Sequence, residues 1–221
     1  MQNPIMKSNC CTNMAINLVV LGLVISMAYL GLFGLVWAYP QVQISTSRPV
    51  YHYGDSLSFS ISVSNVTGDV GVLEIVDQSN QSSSPINIMI SKPVSNITAP
   101  VPFYRTTFAP GSYILRLQYA GSSASANFSL VDTENIAIPP QFKVVASSWV
   151  QNQTSNRLFG EHVAELLSSG VIQVQNYQEQ NMTVIPSWFK NDAKWWSDGE
   201  ISDNEFGHVV EFLIESNIMR V

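Results

Sequence analysis

Three histidines, two adjacent cysteines and one run of carboxylates are the residues of this chain that could hold a metal or carry out catalysis, and their spacing speaks against both. His52, His162 and His208 stand far apart, and no His-x-x-x-His or Cys-His-Met set suited to zinc or copper occurs. Asp198, Glu200, Asp203 and Glu205 offer oxygens for calcium, but Gly199 falls at the wrong place for an EF-hand loop. Ser202 and Glu205, three apart, have the spacing of a helix capping box instead. Serine is abundant, yet there is no Gly-x-Ser-x-Gly elbow and no phosphate-binding glycine loop; Gly121-Ser122-Ser123 reads as a hairpin turn between two strands. No catalytic residue, metal site or cofactor is expected, and the chain is read as not an enzyme. The chemistry left is that of contact: Trp188 and Trp195, seven residues apart, with Phe212, are the candidate binding residues, since exposed indoles are common binding hot spots.

Those aromatics belong to a unit that occurs twice. Residues 138–174 align without a gap on 185–221, at an offset of 47, with thirteen identities. The shared set includes Pro139/Pro186, Phe142/Phe189, Lys143/Lys190, Ala146/Ala193, Trp149/Trp196, Phe159/Phe206, Gly160/Gly207, Val163/Val210 and Leu166/Leu213. Phe189, Ala193 and Trp196 lie at i, i+4 and i+7 behind a proline, which predicts a helix from about Pro186 to Ser197. Gly199, with Asn152 at the same place in the first copy, supplies a left-handed stop. A second helix opens at Ser202 and buries Phe206, Val210, Leu213 and Ile214 before Asn217, or Gly170 in the first copy, stops it. Each unit thus reads as a helical hairpin with a short apolar tail. Gly207 costs about 1 kcal/mol against alanine inside a helix. Close approach of the preceding helix, under the Trp149 or Trp196 ring, is the expected compensation.

Trp188, Trp195 and Phe212 appear only in the second copy, where the first has Gln141, Ser148 and Glu165. Three roles stay open for this surplus: packing against the first copy or the upstream domain, contact with a partner protein, and a platform for glycan.

The other end of the chain fixes the compartment. Residues 18–38 carry no charge, and Lys7 is the only charge before them. That length spans a bilayer as a helix, while Val36-Trp37-Ala38 also satisfies a small-residue cleavage pattern. A retained anchor is expected, with a signal cleaved after Ala38 as the alternative. Both place everything from Tyr39 onward outside the cytoplasm, on the membrane or secreted. Asn65, Asn80, Asn96, Asn127, Asn152 and Asn181 each begin an Asn-x-Ser/Thr triplet, and all lie on that side. About three would arise by chance, so these six are candidate glycosylation sites. The net charge of −6 gives no basic footprint for nucleic acid.

Between the ends, residues 56–64 alternate apolar and polar without a break, placing Leu57, Phe59, Ile61 and Val63 on one buried face. The alternation returns in Ile86, Ile88, Ile90 and in Tyr113, Leu115, Leu117, Tyr119. Further runs at 42–45, 70–76, 101–108 and 124–131 complete about seven strands, the number of an antiparallel β-sandwich.

Two resemblances follow from particular motifs. Tyr51-His52-Tyr53-Gly54-Asp55 and Pro110-Gly111-Ser112-Tyr113 resemble strand entries of immunoglobulin-like modules on prokaryotic surface proteins. That likeness covers residues 41–132 and implies an adhesive or spacer domain, with no site residues carried over. Ile185-Pro186-Ser187-Trp188-Phe189-Lys190-Asn191-Asp192-Ala193-Lys194-Trp195-Trp196, continuing to Asp203, resembles a repeat of exported proteins of ammonia-oxidising archaea. The first copy departs from the pattern at Gln141, Ser148 and Asn152. This second likeness implies an archaeal surface protein with accessory modules and no chemistry.

The expected architecture is multidomain, all-β plus all-α. It runs as a signal peptide or transmembrane anchor (1–40), an immunoglobulin-like β-sandwich (41–132), a first helical-hairpin repeat (133–174), a linker (175–184) and a second hairpin (185–221). The expected function is non-enzymatic contact with a surface protein or envelope component, with the membrane engaged through residues 18–38 if uncleaved. A carbohydrate-binding or adhesin module is the alternative.

Overall fold

Alternating side chains build the sheets as their period requires. The computed structural model describes residues 39–175, 177–178 and 182–221, so the expected helix over 18–38 and Asn181 lie outside the described residues. Among the described residues eight strands occur: β1 (Val42–Thr46), β2 (Val50–His52), β3 (Ser56–Val63), β4 (Val70–Val76), β5 (Ile86–Met89), β6 (Val94–Pro102), β7 (Gly111–Tyr119) and β8 (Ser122–Val131). They form a three-stranded sheet, β1-β3-β6, and a five-stranded sheet, β2-β8-β7-β4-β5. Leu57, Phe59, Ile61 and Val63 of β3 face Tyr113, Leu115, Leu117 and Tyr119 of β7 within one buried cluster. The first edge of the sandwich is shared: β1 runs antiparallel to β3 in one sheet, and β2 runs parallel to β8 in the other. This strand order, with a tyrosine at the corner entering β7, is immunoglobulin-like.

Two turns anchored by the sequence motifs hold the sandwich together. Gly54 takes the left-handed conformation (φ 89°). Its N–H donates to Phe103 O at 2.9 Å, while Asp55 Oδ2 accepts from His52 N at 2.9 Å. At the other corner the Tyr113 hydroxyl donates to Ala109 O at 2.6 Å. Burial raises the Tyr113 pKa, with Asp77 adding to it, so the phenol stays a donor. Tyr113→Phe should cost about 1 kcal/mol, the ordinary net worth of such a bond. Urea denaturation of the two proteins would measure it.

The strand expectations need three corrections. Of the run 101–108 only Val101 and Pro102 are strand, as the end of β6 (Val94–Pro102), and the chain then turns through Tyr104–Thr107. β6 is an edge strand with no fully buried residue, which removes the alternation signal and lets Pro100 sit within it. β2 is only three residues long and was not expected. Ile90 is buried, but Ile86 is exposed because β5 is the outer strand of its sheet.

Beyond the sandwich lie α1 (Pro140–Val150), α2 (Asn156–Ser168), a 3-10 turn (Ser187–Phe189), α3 (Lys190–Asp198) and α4 (Asp203–Glu215). Ser155 caps α2 by accepting from Leu158 N, and Ser202 with Glu205 forms a complete capping box on α4. All four expected stops are left-handed: Asn152 (φ 59°), Gly170 (71°), Gly199 (80°) and Asn217 (55°). The helix expected from Pro186 is corrected to a 3-10 turn, Ser187–Phe189, followed by α3; the equivalent Pro139, equally extended and uncapped, leads directly into α1, where Pro140 stands at the position of Ser187.

The four helices share one core. Trp149 stacks on Phe159 at 4.1 Å, and Trp196 on Phe206 at 4.0 Å. Their indole N–H groups donate to Asn156 Oδ1 and Asp203 Oδ1, both at 2.8 Å. Phe189 lies between the pairs, 5.7 Å from Phe206 and 6.2 Å from Trp149. The lysines cross over: Lys143 Nζ sits 5.4 Å above the Trp196 ring, and Lys190 Nζ 5.2 Å above that of Trp149.

The glycines cross over as well. A β-carbon on Gly207 would lie 2.4 Å from Ile136 Cδ1, and one on Gly160 would lie 2.6 Å from Thr183 Cγ2. Ile136 and Thr183 are themselves 47 apart, each just ahead of one helix pair. This corrects the expectation that an indole covers Gly207: the extended lead of the other helix pair does.

Residues 40–221 form one compact unit, and the sandwich meets the helices along a polar seam. Arg105 pairs with Asp132 and lies 5.0 Å over the Tyr53 ring. Asn204 donates to Asn135 Oδ1 at 3.0 Å, and accepts from Ile136 N at 2.7 Å. Alternate residues then enter different cores, Ile136 and Ile138 the helical one and Ala137 that of the sandwich.

Candidate functional site: an exposed aromatic face on the second helix pair

The core stripe of α3 is spent on packing, since Phe189, Ala193 and Trp196 are all but inaccessible. Trp188 and Trp195 fall outside it, two turns apart, and are 52% and 45% exposed, while Phe212 on α4 is 61% exposed. About half of each ring is covered, Trp188 standing edge-on to Phe189 at 6.4 Å, and the other half faces water. Their counterparts Gln141 and Glu165 are also exposed, so these two aligned positions carry polar groups on the first pair and aromatic ones on the second.

One carboxylate stands between the two indoles. Asp192 lies four after Trp188 and three before Trp195, which puts it on the same helical face. The lysines nearby are engaged: Lys194 Nζ reaches Asp198 Oδ2 at 2.6 Å, and Lys190 Nζ donates to Asn152 Oδ1 at 2.5 Å. The hydrogen bond to Asp198, and then its charge, hold the Lys194 pKa up.

At the start of α4 the Glu205 carboxylate accepts from Ser202 N at 2.7 Å and from its hydroxyl at 2.8 Å. These bonds, the backbone one first, hold the Glu205 pKa below the usual carboxylate range. A depressed folded-state pKa gives stability that is present above the ordinary glutamate range and lost as pH falls through the folded value. Ser202→Ala should cost about 1 kcal/mol near neutrality, as for other N-cap serines. The gap between variant and parent should narrow at acid pH, and thermal melts at several pH values would show it.

A second feature escaped the sequence. Glu134, Glu211 and Glu215 line a cleft of about 460 Å³ whose apolar wall comes from Ile136, Val171 and Val174. Glu211 and Glu215, one turn apart on α4, were readable as one face. Glu134 and the apolar wall come from segments distant in sequence, so the concavity had no local signal.

Five candidate glycosylation sites are within the described residues, and all five asparagines are exposed. Asn65 and Asn80 sit in turns, Asn80 left-handed at φ 60°, while Asn96 and Asn127 project from β6 and β8. Asn80 and Asn127 line the same shallow groove beside Tyr113. Asn152 uses Oδ1 toward Lys190, which leaves its Nδ2 outside that bond.

No family model matches the chain, and no curated protein matches it. Solved structures similar to it include one of Dscam described for isoform specificity, at 11% identity over 43% of this chain, TM-score 0.27. The M1 domain from titin matches at 12% identity over 43% of this chain and 96% of its own, TM-score 0.28. The sulfur carrier protein SoxY from Chlorobium limicola f thiosulfatophilum matches at 14% identity over 49% of this chain and 96% of its own, TM-score 0.24. The match spans about a fifth of the Dscam chain, 22% of its length.

Proposed function

We infer that this is a non-enzymatic archaeal cell-surface or secreted protein that makes protein contacts through the second of two helical-hairpin repeats, with the sandwich as spacer. One observation carries the proposal: three large aromatic side chains are exposed on the second helix pair where the first presents Gln141, Ser148 and Glu165. Exposed aromatic surface has a solvation cost that burial in a partner removes, and such side chains anchor interfaces. The archaeal repeat pattern in residues 185–203, the uncharged segment 18–38 and the exposed asparagine triplets support an extracytoplasmic setting.

The double variant Trp188→Gln/Trp195→Ser gives the second pair the residues of the first at two of the three positions. Its stability should fall by about 1–3 kcal/mol, because about half of each ring is covered, which leaves the fold intact for the binding measurement. Capture from cell envelopes by the full-length protein should lose its specific partner. Capture unchanged by the substitution would sink the proposal, and glycan-array binding lost in the same variant would favour the carbohydrate-binding alternative.

A further inference from the structure

The geometry points to a basic segment of a partner protein as the occupant of the α4 face, its cationic side chains lying in the cleft beside Phe212. This rests on the protein-contact proposal above and specifies the partner's chemistry. The cleft presents the Glu134, Glu211 and Glu215 carboxylates over an apolar wall, and none of its lining residues is a lysine or arginine. A lysine or arginine side chain matches that combination, with its methylene stem against the half-buried Val174 and its charged head among the carboxylates. Glu211 already accepts from Gln173 N at 3.4 Å and meets His208 Nδ1 at 2.7 Å, so its carboxylate is held in place rather than free to swing away. Phe212 lies four after His208 and three before Glu215, both of which line the cleft, so it stands at the rim on the same helical face and supplies an apolar anchor that is 61% exposed.

Charge decides among occupants. Residues 185–221 carry Lys190, Lys194 and Arg220 against Asp192, Asp198, Asp203, Glu205, Glu211 and Glu215 with Glu200, and two of those three cations are engaged elsewhere. A second copy of this chain, with its own net charge of −6, would bring like charge to like. Such juxtaposition is unfavourable, whereas a basic segment is steered in.

The test uses the full-length protein and three synthetic helical peptides of about 18 residues, five turns, on one leucine frame. Their polar positions are filled with Lys, Gln or Glu, and binding is read by fluorescence anisotropy. The Lys peptide should bind at least about tenfold more tightly than the Gln peptide, and raised salt should weaken it. Glu211→Gln/Glu215→Gln, which keeps side-chain acceptors, should reduce that binding about tenfold at unchanged melting temperature, and Phe212→Glu should weaken the Gln peptide too. Equal binding of the Lys and Gln peptides, still dependent on Phe212 or Trp188, would overturn the basic partner while leaving an apolar contact surface standing. Lack of Lys-peptide binding altogether would also overturn it, and the envelope capture would then judge the contact proposal by itself.

Discussion

Trp196→Ala should destabilise the helical half by about 3–5 kcal/mol, the usual cost of deleting a fully buried indole. Trp196 is 1% exposed, stacks on Phe206 at 4.0 Å and donates to Asp203 Oδ1, so truncation empties the centre of the shared core. It also takes away the ring beneath Lys143 Nζ, whose remaining contact is Asp203 Oδ1 at 3.3 Å. The neighbour in sequence is the control. Trp195→Ala removes the same number of atoms from a 45% exposed site and should cost clearly less, about 1–2 kcal/mol for the part of the ring that is covered. Urea unfolding followed by far-UV circular dichroism at 222 nm, where helix dominates the signal, separates the two variants; equal losses would mean the core is not centred on Trp196. A loss of that size is a large share of the 5–15 kcal/mol typical of a whole domain.

Gly207→Val should cost about 3 kcal/mol, and the partner responsible is Ile136. A β-carbon at Gly207 lies 2.4 Å from Ile136 Cδ1 and 2.9 Å from Cγ2, distances at which one of them must move. Alanine at the same site gains about 1 kcal/mol of helix propensity, which offsets part of the clash, so valine is the clearer probe. Ile136→Ala vacates the space those atoms fill, at its own cavity cost. The double variant should therefore lose less than the sum of the two single ones, with a coupling of about 0.5–3 kcal/mol. Strict additivity in denaturation would show that the contact does not set the need for glycine. Gly160 against Thr183 Cγ2 at 2.6 Å offers the same cycle on the other pair.

Local rules were legible where local physics decides the outcome. The capping box at Ser202 and Glu205, the left-handed stops at Asn152, Gly170, Gly199 and Asn217, and the alternation through Ser56–Val63 depend on a few adjacent residues, and all are present as read. Signals failed where burial was partial. β6 alternates between intermediate and exposed positions at a sheet edge, so its side chains carried no strong period, and the neighbouring apolar run at 101–108 drew the assignment instead. The aromatic triad was legible as a difference between two aligned segments, but whether it was covered was not. The carboxylate cleft was hidden for the same reason: Glu134 reaches Glu211 only through the fold.

By itself, then, the order of residues settled the strongly alternating strands, the capping box at Ser202 and Glu205 and the four left-handed helix stops, because these follow from periodicity and capping over a few residues. Tertiary structure alone decided that the lead of one helix pair covers the glycine of the other, that Lys143 and Lys190 cross to opposite indoles, and that Trp188, Trp195 and Phe212 face water. Those outcomes depend on which surfaces compete for burial when distant segments meet, and that competition is settled only once the whole core is assembled.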